Sequence, residues 1–326
     1  MPLQVPGLLR KGIKQIPGVP SLLKTYRREQ NRHARQKLAA VALPSVVAIE
    51  LTNNCNLRCT KCPLVKTTRA RGFIDDALFD KILKDIESAG APTEIALSGS
   101  GEPTLHPRLV DYVKAARGIP NIGVVGFATN GVALTRDLSE KLLDAGLTRL
   151  KASLDTDDPD AYRRLNGKES YKQVVGNFLH FCDINRNTGN RCRVTLKATL
   201  YNNDFLLARR LKEKWGTHVA EVRVTPVHNW GGAKAEAMAL TPVKYKPCSL
   251  LWQQVQVLWS GQITLCCMDT MEGHFNMGNV RHKNISQYWV DDPGLKRIRN
   301  LHEKMDLSTL PVCAGCDMSD YHDISV

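Results

Sequence analysis

The chain has 326 residues, of which 43% are hydrophobic and 24% charged, and a formal net charge of +13. This composition is ordinary for a soluble globular protein, and no apolar run approaches the roughly 20 residues of a membrane span. Ten cysteines without a secretory signal indicate metal binding in a reducing compartment rather than disulfides, so we expect a cytoplasmic protein.

The chain begins with a basic stretch, which we predict to be an N-terminal extension over residues 1–44. Residues 1–40 hold nine Lys or Arg and a single acidic residue, Glu29. A solvated extension explains this charge, and an anionic partner such as a lipid surface, a phosphorylated or nucleotide-bearing substrate, or nucleic acid is the alternative. Pro2, Pro6, Pro17 and Pro20 argue against a long amphipathic helix, and sparse aromatic residues argue against a base-stacking surface.

From residue 45 onward, strand-like and helix-like segments alternate, which predicts repeated βα units and a parallel sheet. Six such units are too few for a closed eight-stranded barrel. We therefore predict an α/β fold with a partial (βα)6 TIM-like barrel over residues 45–240. The predicted strands are Val46–Leu51, Glu94–Leu97, Ile122–Ala128, Leu150–Leu154, Val194–Leu200 and Val222–Val227. The predicted helices are Asp76–Ala89, Pro107–Arg117, Asp137–Ala145, Tyr171–Asn185 and Asp204–Trp215.

The alternation stops after about residue 235. Val255–Trp259 and Gln262–Cys266 flank a Ser-Gly turn and predict a hairpin. Helical segments follow at Ile285–Tyr288 and Asp292–Glu303. We place a domain boundary near residues 235–245 and predict a small α+β domain over residues 241–326.

Three cysteines follow the first predicted strand within eight residues: Cys55, Cys59 and Cys62. Thiolates at this density are ligands for a soft metal or an iron–sulfur cluster. A closed zinc site or fully ligated cluster needs four protein ligands, so three would leave one metal position open for chemistry. A zinc knuckle lacking its fourth ligand, or three unrelated buried cysteines, is the structural alternative.

This C-x3-C-x2-C spacing after the first strand resembles the radical S-adenosylmethionine (SAM) superfamily. The resemblance implies that the three cysteines hold a [4Fe–4S] cluster whose open iron binds SAM, and that SAM cleavage yields a radical that removes a hydrogen atom from the substrate. It also implies an electron donor such as flavodoxin or ferredoxin.

Further matches follow the next predicted strands. Ser100-Gly-Glu-Pro resembles the family's GGEP motif, with serine in place of the first glycine, and Lys151-Ala-Ser-Leu-Asp155 resembles its SxD element. An arginine after the fourth strand is a candidate partner for the SAM carboxylate, with a solvated helical arginine as the alternative. The SAM-binding residues that the resemblance implies are Gly101, Glu102, Thr129, Asn130, Ser153, Asp155 and Arg163.

The fifth and sixth strands add candidate substrate-facing groups. Lys197 lies within a predicted strand, where its charge must face the barrel mouth or meet a partner. His228, Asn229 and Trp230 leave the sixth strand, and simple packing is the alternative for these three.

A second cysteine group lies in the C-terminal region. Four cysteines across a hairpin and a C-x2-C knuckle make a complete tetrahedral set, which zinc would also satisfy. The arrangement resembles the SPASM and shorter twitch domains of radical SAM enzymes, and it implies one auxiliary [4Fe–4S] cluster. The ligands implied are Cys248, Cys266, Cys313 and Cys316.

The remaining cysteines divide into two kinds. Cys182 and Cys192 have the surroundings of packing residues. Strand alternation predicts that Cys267 faces the barrel mouth if Cys266 faces the cluster, and the reverse assignment is the alternative. A free thiol there would donate a hydrogen atom to a carbon radical. Asp269, on the same side, is predicted to bind a substrate hydroxyl or amine.

The resemblance extends to enzymes that epimerise or dehydrogenate aminoglycosides and other sugars. We expect C-epimerisation of a sugar-like small molecule, with Cys267 returning the hydrogen atom. Dehydrogenation of an alcohol to a ketone is the first alternative, and modification of a peptide or RNA is the second. A non-catalytic electron-transfer protein is a third, although it would not need the SAM-binding motifs.

Overall fold

The computed structural model describes residues 19–201, 204–233 and 247–317. The first 18 residues of the predicted extension lie outside these ranges, as does the whole of the predicted domain boundary near residues 235–245.

Six consecutive strands form an open parallel sheet in which each strand pairs with the next along the chain. In the part of the chain that the structure describes, no strand pairs with the outer edge of the sixth, so the sheet does not close. The predicted partial barrel is therefore confirmed. The strands are β1 (Val46–Ile49), β2 (Thr93–Ala96), β3 (Ile122–Thr129), β4 (Arg149–Ser153), β5 (Arg193–Leu200) and β6 (Glu221–Pro226).

Helices cover the outer face of this sheet. Asp75 caps the first of them by accepting a hydrogen bond from the Leu78 amide, and Gly90 ends it in the left-handed conformation at φ 65°. These two signals explain why its predicted bounds were right. The helices that follow the strands are α2 (Asp76–Ala89), α3 (Leu109–Arg117), α4 (Arg136–Asp144), α5 (Pro159–Asn166), α6 (Tyr171–Asn187) and α7 (Phe205–Trp215).

One face of each strand packs against the helices and the other faces the barrel interior. Leu150 and Leu196 lie fully buried in the same core as Phe178 and Trp215. Because successive strand residues point to opposite faces, the residues between them face inward. The polar residues that alternate with these apolar residues along the strands therefore face the barrel interior.

The C-terminal region extends the same sheet. β7 (Gln254–Val257) pairs in parallel with β1, and β8 (Ile263–Thr264) pairs antiparallel with β7, which confirms the predicted hairpin. The second strand ends at Thr264 and not at Cys266, so Cys266 and Cys267 lie in the following turn. Helices α8 (Ile285–Asp291) and α9 (Pro293–Lys304) complete this region.

A 22-residue helix, α1 (Val19–Ala40), precedes the barrel, so the expectation that prolines preclude a long helix here was wrong. The helix begins after Pro17, and Pro20 lies in its first turn, where proline is tolerated. Buried Arg35 joins it to the C-terminal region through an ion pair of 2.6 Å with Glu303. No helix in the described ranges is long and apolar enough to cross a membrane.

Candidate active site

The loop with the first three cysteines leaves β1 and docks on α5. The Thr60 amide donates to the Leu165 carbonyl at 2.8 Å, and the Cys59 thiol donates to Oδ1 of Asn166 at 3.1 Å. Helix α5 was not predicted, because it has eight residues and buries only Tyr162 and Asn166. The loop with the first three cysteines is therefore held in part by a short helix whose sequence has no strong apolar pattern.

The three thiols lie close enough to influence one another's charge. Burial raises the pKa of Cys55, and it raises the pKa of Cys59 to about 12, with further contributions from the neighbouring thiols. A thiol with so high a pKa is protonated at neutral pH. Because a metal or cluster binds the thiolate form, its binding must release protons from this loop.

Gly101 packs directly against the cysteine loop. A Cβ atom at this position would lie 2.5 Å from the Asn54 carbonyl oxygen and even closer to that of Thr52. The neighbouring Glu102 amide donates to the same Asn54 carbonyl at 2.8 Å. Only glycine permits this approach, so the predicted Gly-Glu-Pro element and the cysteine loop form one unit.

The Glu102 carboxylate is buried, and its hydrogen bonds go to other parts of the protein. It accepts from Thr129 Oγ1 at 2.7 Å, from the Asn130 amide at 2.8 Å, and from both the amide and the hydroxyl of Thr104. Burial raises the pKa of this carboxyl group. Glu102 and Thr129 thus join the ends of β2 and β3. The roles predicted for these two residues in binding SAM stay predictions.

Asn130 connects β3 to the cysteine loop. Its Nδ2 donates to Asn56 Oδ1 at 2.8 Å and lies 3.8 Å from the Cys55 sulfur. The predicted SAM-binding residues of the first three strands therefore meet around the three cysteines. Their roles toward SAM stay predictions.

The serine that replaces the first glycine of the motif has a structural partner. Ser100 Oγ donates to the Thr270 carbonyl at 2.9 Å, and the Ser100 amide donates to the Glu50 carboxylate. The motif loop is thereby joined to the loop that follows β8. A glycine at this position would lack the hydroxyl that makes this link.

A buried ion pair that the sequence analysis missed lies beside this link. Glu50 is fully buried and forms a two-pronged pair with Arg69, whose Nη2 lies 2.5 Å from Glu50 Oε2. The same guanidinium donates to the Thr270 carbonyl, and the Trp259 amide donates to Glu50. The end of β1, the motif loop and the C-terminal region therefore share one buried charge pair.

Asp155 lies at the end of β4 with both carboxylate oxygens occupied. Lys61, between two of the cysteines, donates to Oδ2, and the Thr199 amide donates to Oδ1 at 2.8 Å. Ser153 lies half-buried at the last position of β4, opposite Lys197 of β5. The predicted contacts of Ser153 and Asp155 with the SAM ribose stay predictions, and Lys61 is an additional polar group beside them.

Arg163 lies on the solvent side of α5. Its side chain is 55% exposed and pairs with Glu169 at 3.4 Å. Its predicted contact with the SAM carboxylate stays a prediction.

The second cysteine group also comes together. Burial raises the pKa of Cys266 well above the usual value, and the neighbouring thiols of Cys267, Cys248, Cys313 and Cys316 raise it further. The Cys316 amide donates to the Cys313 carbonyl at 3.2 Å, which closes the knuckle as a tight turn. Chain segments about 50 residues apart thus supply four sulfurs to one place.

Asn229 joins the barrel to this knuckle. It is fully buried, its amide donates to Asp317 at 2.9 Å, and its Nδ2 donates to the Gly315 carbonyl at 2.6 Å. Of the three residues after β6 that were candidates for the substrate, Asn229 is therefore structural. His228 lines the cavity described below and packs against Trp230 with ring centroids 4.5 Å apart.

Cys267 faces a different set of groups from Cys266. Burial raises the pKa of Cys267, and the positive charges of Lys197 and Lys151 in the barrel interior partly offset this. Cys266 and Cys267 are both partly buried as residues. The reasoning from strand alternation was wrong, because β8 ends at Thr264 and both residues follow it. Which of the two thiols serves the cluster stays a prediction.

Asp269 is buried in the loop that follows β8. It is 1% exposed and accepts hydrogen bonds from the Thr264 hydroxyl, the His274 amide at 2.9 Å and the Phe275 amide at 3.0 Å. Both carboxylate oxygens hold this loop in place. The predicted role of Asp269 in binding a substrate hydroxyl or amine stays a prediction.

A cavity of about 470 Å³ opens along the inner face of β4, β5 and β6. Its cationic residues were missed as a set, although the residues that line the cavity recur at every second position of these strands. The lining residues include Arg149, Lys151, Arg193, Lys197, Arg223 and His228.

The two cysteine sets fit iron–sulfur clusters. The described residues contain no group of three His, Cys, Asp or Glu side chains close enough to share a single metal ion. A cubic cluster holds its cysteine ligands further apart than one ion does, since each sulfur binds a different iron. Three thiols beside the motif loops leave one iron open, and four thiols in the C-terminal region make a closed set.

The comparison with known proteins agrees with this fold and site. Residues 49–196 match the Radical SAM superfamily, and residues 248–317 match SPASM, an iron-sulfur cluster-binding domain. The fold and the two cysteine sets define an iron–sulfur radical enzyme. The chain therefore contains a radical SAM domain and a SPASM domain, and the cofactors that these domains imply are SAM and two iron–sulfur clusters.

Relatives by sequence match only part of the chain. A GTP 3′,8-cyclase of Chlorobaculum tepidum is 34% identical over 128 residues, which are 39% of this chain and 38% of that protein. The tungsten-containing aldehyde ferredoxin oxidoreductase cofactor-modifying protein of Pyrococcus furiosus is 37% identical over 109 residues, 33% of this chain and 30% of that protein. The chain thus spans less than half the length of the curated relatives it matches.

Solved structures match over most of the chain. BtrN in complex with AdoMet and 2-DOIA has a TM-score of 0.60 and 19% identity, and the match covers 87% of this chain and 95% of that one. Streptococcus suis SuiB bound to the precursor peptide SuiA has a TM-score of 0.65 and 15% identity, with coverages of 87% and 73%. At these identities the likeness shows the shared fold alone.

Proposed function

We propose that this enzyme epimerises a carbon of a sugar-like small molecule, with Cys267 as the hydrogen-atom donor. The observation that carries the proposal is the separation of two adjacent thiols: Cys266 lies among the other three C-terminal cysteines, and Cys267 lies near Lys151 and Lys197 of the barrel interior. This arrangement supports Cys266 as a ligand of the auxiliary cluster and Cys267 as a thiol that the cluster does not use.

The cofactor SAM, when bound with its cluster, supplies a radical that removes one hydrogen atom from a substrate C–H bond. Cys267 then breaks its S–H bond, and a new C–H bond forms on the opposite face of the carbon. The sulfur is left one electron and one proton short of a thiol. An electron donor of the flavodoxin or ferredoxin class supplies that electron, and water supplies the proton.

The test determines the source of the hydrogen atom that is added to the substrate carbon. We would incubate the anaerobically reconstituted enzyme with SAM, reduced flavodoxin and a panel of sugars and sugar phosphates in D2O. A product with one solvent deuterium at an inverted carbon supports the proposal, because the Cys267 thiol exchanges with solvent. A ketone without deuterium would instead identify a dehydrogenase, and a product of neither kind would reject both.

A matched variant makes the test specific. Cys267→Ala is expected to form 5′-deoxyadenosine from SAM without yielding inverted product. An epimer formed at the wild-type rate by Cys267→Ala would mean that another group returns the hydrogen atom.

A further inference from the structure

We propose that the substrate of this site carries at least one phosphoryl group, which Lys151, Lys197 and Arg223 bind on the inner face of β4 to β6. The inference rests on the proposed function, since it names the class of molecule that the same cavity takes. The argument comes from the charges that line the cavity, from their pairing and from their place relative to Cys267.

The cavity wall has a large excess of positive charge. Its lining holds five Lys or Arg side chains and one carboxylate, that of Glu221. The cations lie at inward-facing positions of three neighbouring strands, so they project into one space and not to three separate surfaces. The five are Arg149, Lys151, Arg193, Lys197 and Arg223.

The carboxylates nearby pair with arginines. Glu221 contacts Arg223 at 2.9 Å and Arg193 at 3.5 Å, and Glu94 contacts Arg149 at 2.6 Å. Counting both carboxylates still leaves the wall with a surplus of positive charge. Charges of one sign held close together repel, so this wall is electrostatically unfavourable without an anion.

The two lysines carry the surplus. The described residues place no carboxylate within salt-bridge distance of Lys151 or Lys197, which remain solvent-accessible although protein surrounds their ammonium groups. Burial lowers the pKa of both lysines. Neighbouring cations lower it further, chiefly Lys197 acting on Lys151 and Lys61 acting on Lys197, while Asp155, which pairs with Lys61, opposes this effect at Lys197. An anion between them would remove this repulsion.

The amount of charge favours a phosphoryl group over a single carboxylate. A phosphate monoester or diphosphate brings about two or more negative charges at neutral pH, and its terminal oxygens accept from several donors at once. A carboxylate brings one charge and two oxygens. Lys197 lies opposite Arg223 in the sheet register, so two donors from adjacent strands face the same point.

The position of these cations suits a substrate and not a remote ion. The charges of Lys197 and Lys151 both act on Cys267. Lys197 is two positions before Thr199, which contacts Asp155 at the carboxyl ends of the strands. A molecule anchored by its phosphoryl group at the lysines would therefore extend toward the thiol and the cysteine loop, where the hydrogen transfer takes place.

The probe for this inference is inorganic pyrophosphate, titrated calorimetrically into the anaerobically reconstituted full chain at fixed ionic strength. We expect Lys197→Gln and Lys151→Gln to weaken pyrophosphate binding about tenfold or more, since each removes a charge-assisted contact. Arg136→Gln, which removes an exposed arginine paired with Glu140 on α4, should leave it unchanged. Malonate, a dicarboxylate, should bind at least about tenfold more weakly than pyrophosphate.

Three results would overturn the inference: no pyrophosphate binding by the wild type, equal binding by the lysine variants and the control, or malonate binding as tightly as pyrophosphate. Circular dichroism and iron content check that each variant is folded. If the lysine variants misfold, Arg223→Gln makes the same test with a side chain that is 56% exposed. Reductive SAM cleavage is measured separately, so its failure counts against the proposed radical chemistry and leaves the binding result intact.

Discussion

Cys266 and Cys267 are consecutive in sequence but lie in different electrostatic surroundings. Burial raises the pKa of both thiols; beyond the effect of Cys267 on its neighbour, Cys266 is influenced by Cys248, Cys313 and Cys316, whereas Cys267 is influenced by Lys197 and Lys151 of the barrel interior. The turn after β8 produces this separation, and it lets one short segment serve both the auxiliary cysteine set and the cavity.

The fit of Gly101 against the cysteine loop predicts a sharp effect of one methyl group. Gly101→Ala would push a Cβ into the carbonyls of Thr52 and Asn54, at a cost of about 1–3 kcal/mol or a displaced cysteine loop. We expect the variant to lose iron from the first cluster and to cleave SAM more slowly, as measured by iron content and 5′-deoxyadenosine formation. Gly123→Ala is the control, because a Cβ there meets nothing within 4 Å. Equal iron content in both variants would refute the packing argument.

The buried pair of Glu50 and Arg69 predicts a large loss of stability when one partner is removed. Arg69→Gln leaves a fully buried carboxylate without its charge partner, which costs about 3–5 kcal/mol. Denaturant unfolding of the apo protein under reducing conditions measures this loss. Arg136→Gln removes an exposed pair and should leave the free energy of unfolding nearly unchanged. Similar losses in the two variants would contradict the account.

His106 predicts a pH dependence of stability. It is 5% exposed, and burial lowers its pKa below the ordinary value of 6.5. Two smaller effects act in opposite directions, because Asp76 raises this pKa and Arg108 lowers it. The unfolded chain therefore takes up a proton first as the pH falls through 6.5, so the free energy of unfolding should decrease below that pH and recover above it. The pH slope should be shallower in His106→Gln and unchanged in His180→Gln, which alters an exposed histidine. An unchanged slope in His106→Gln would assign the pH dependence to other groups.

Much of the barrel could be predicted because its signals are local. Strand and helix alternate with short apolar segments, and caps such as Asp75 and Gly90 mark helix ends. The parallel pairing of β7 with β1 was not predictable in the same way, because it joins segments about 200 residues apart. Helix α1 was missed for a similar reason: its contacts, such as that of Arg35 with Glu303, lie far away in sequence.

The sequence predicted the positions of site residues where a motif determines the backbone conformation. It did not predict the direction in which individual side chains point. The cysteine groups and Gly101 lie where the spacing places them. The Arg163 side chain points to solvent from a short helix, and the Asp269 carboxylate points into its own loop. The local sequence pattern predicts neither direction. The residues that line the cavity recur at every second position of β4 to β6, with cations at five of these positions, and that period was the signal available for them.

Iron content in two adjacent cysteine variants tests the central claim most directly, because it needs no substrate. A [4Fe–4S] cluster holds four irons, so the reconstituted wild type should contain about eight irons per chain. Cys266→Ala should retain about four, and Cys267→Ala about eight, with SAM cleavage intact in the latter. If Cys267→Ala retained about four and Cys266→Ala about eight, Cys267 would be the cluster ligand and the proposed hydrogen donor would be contradicted.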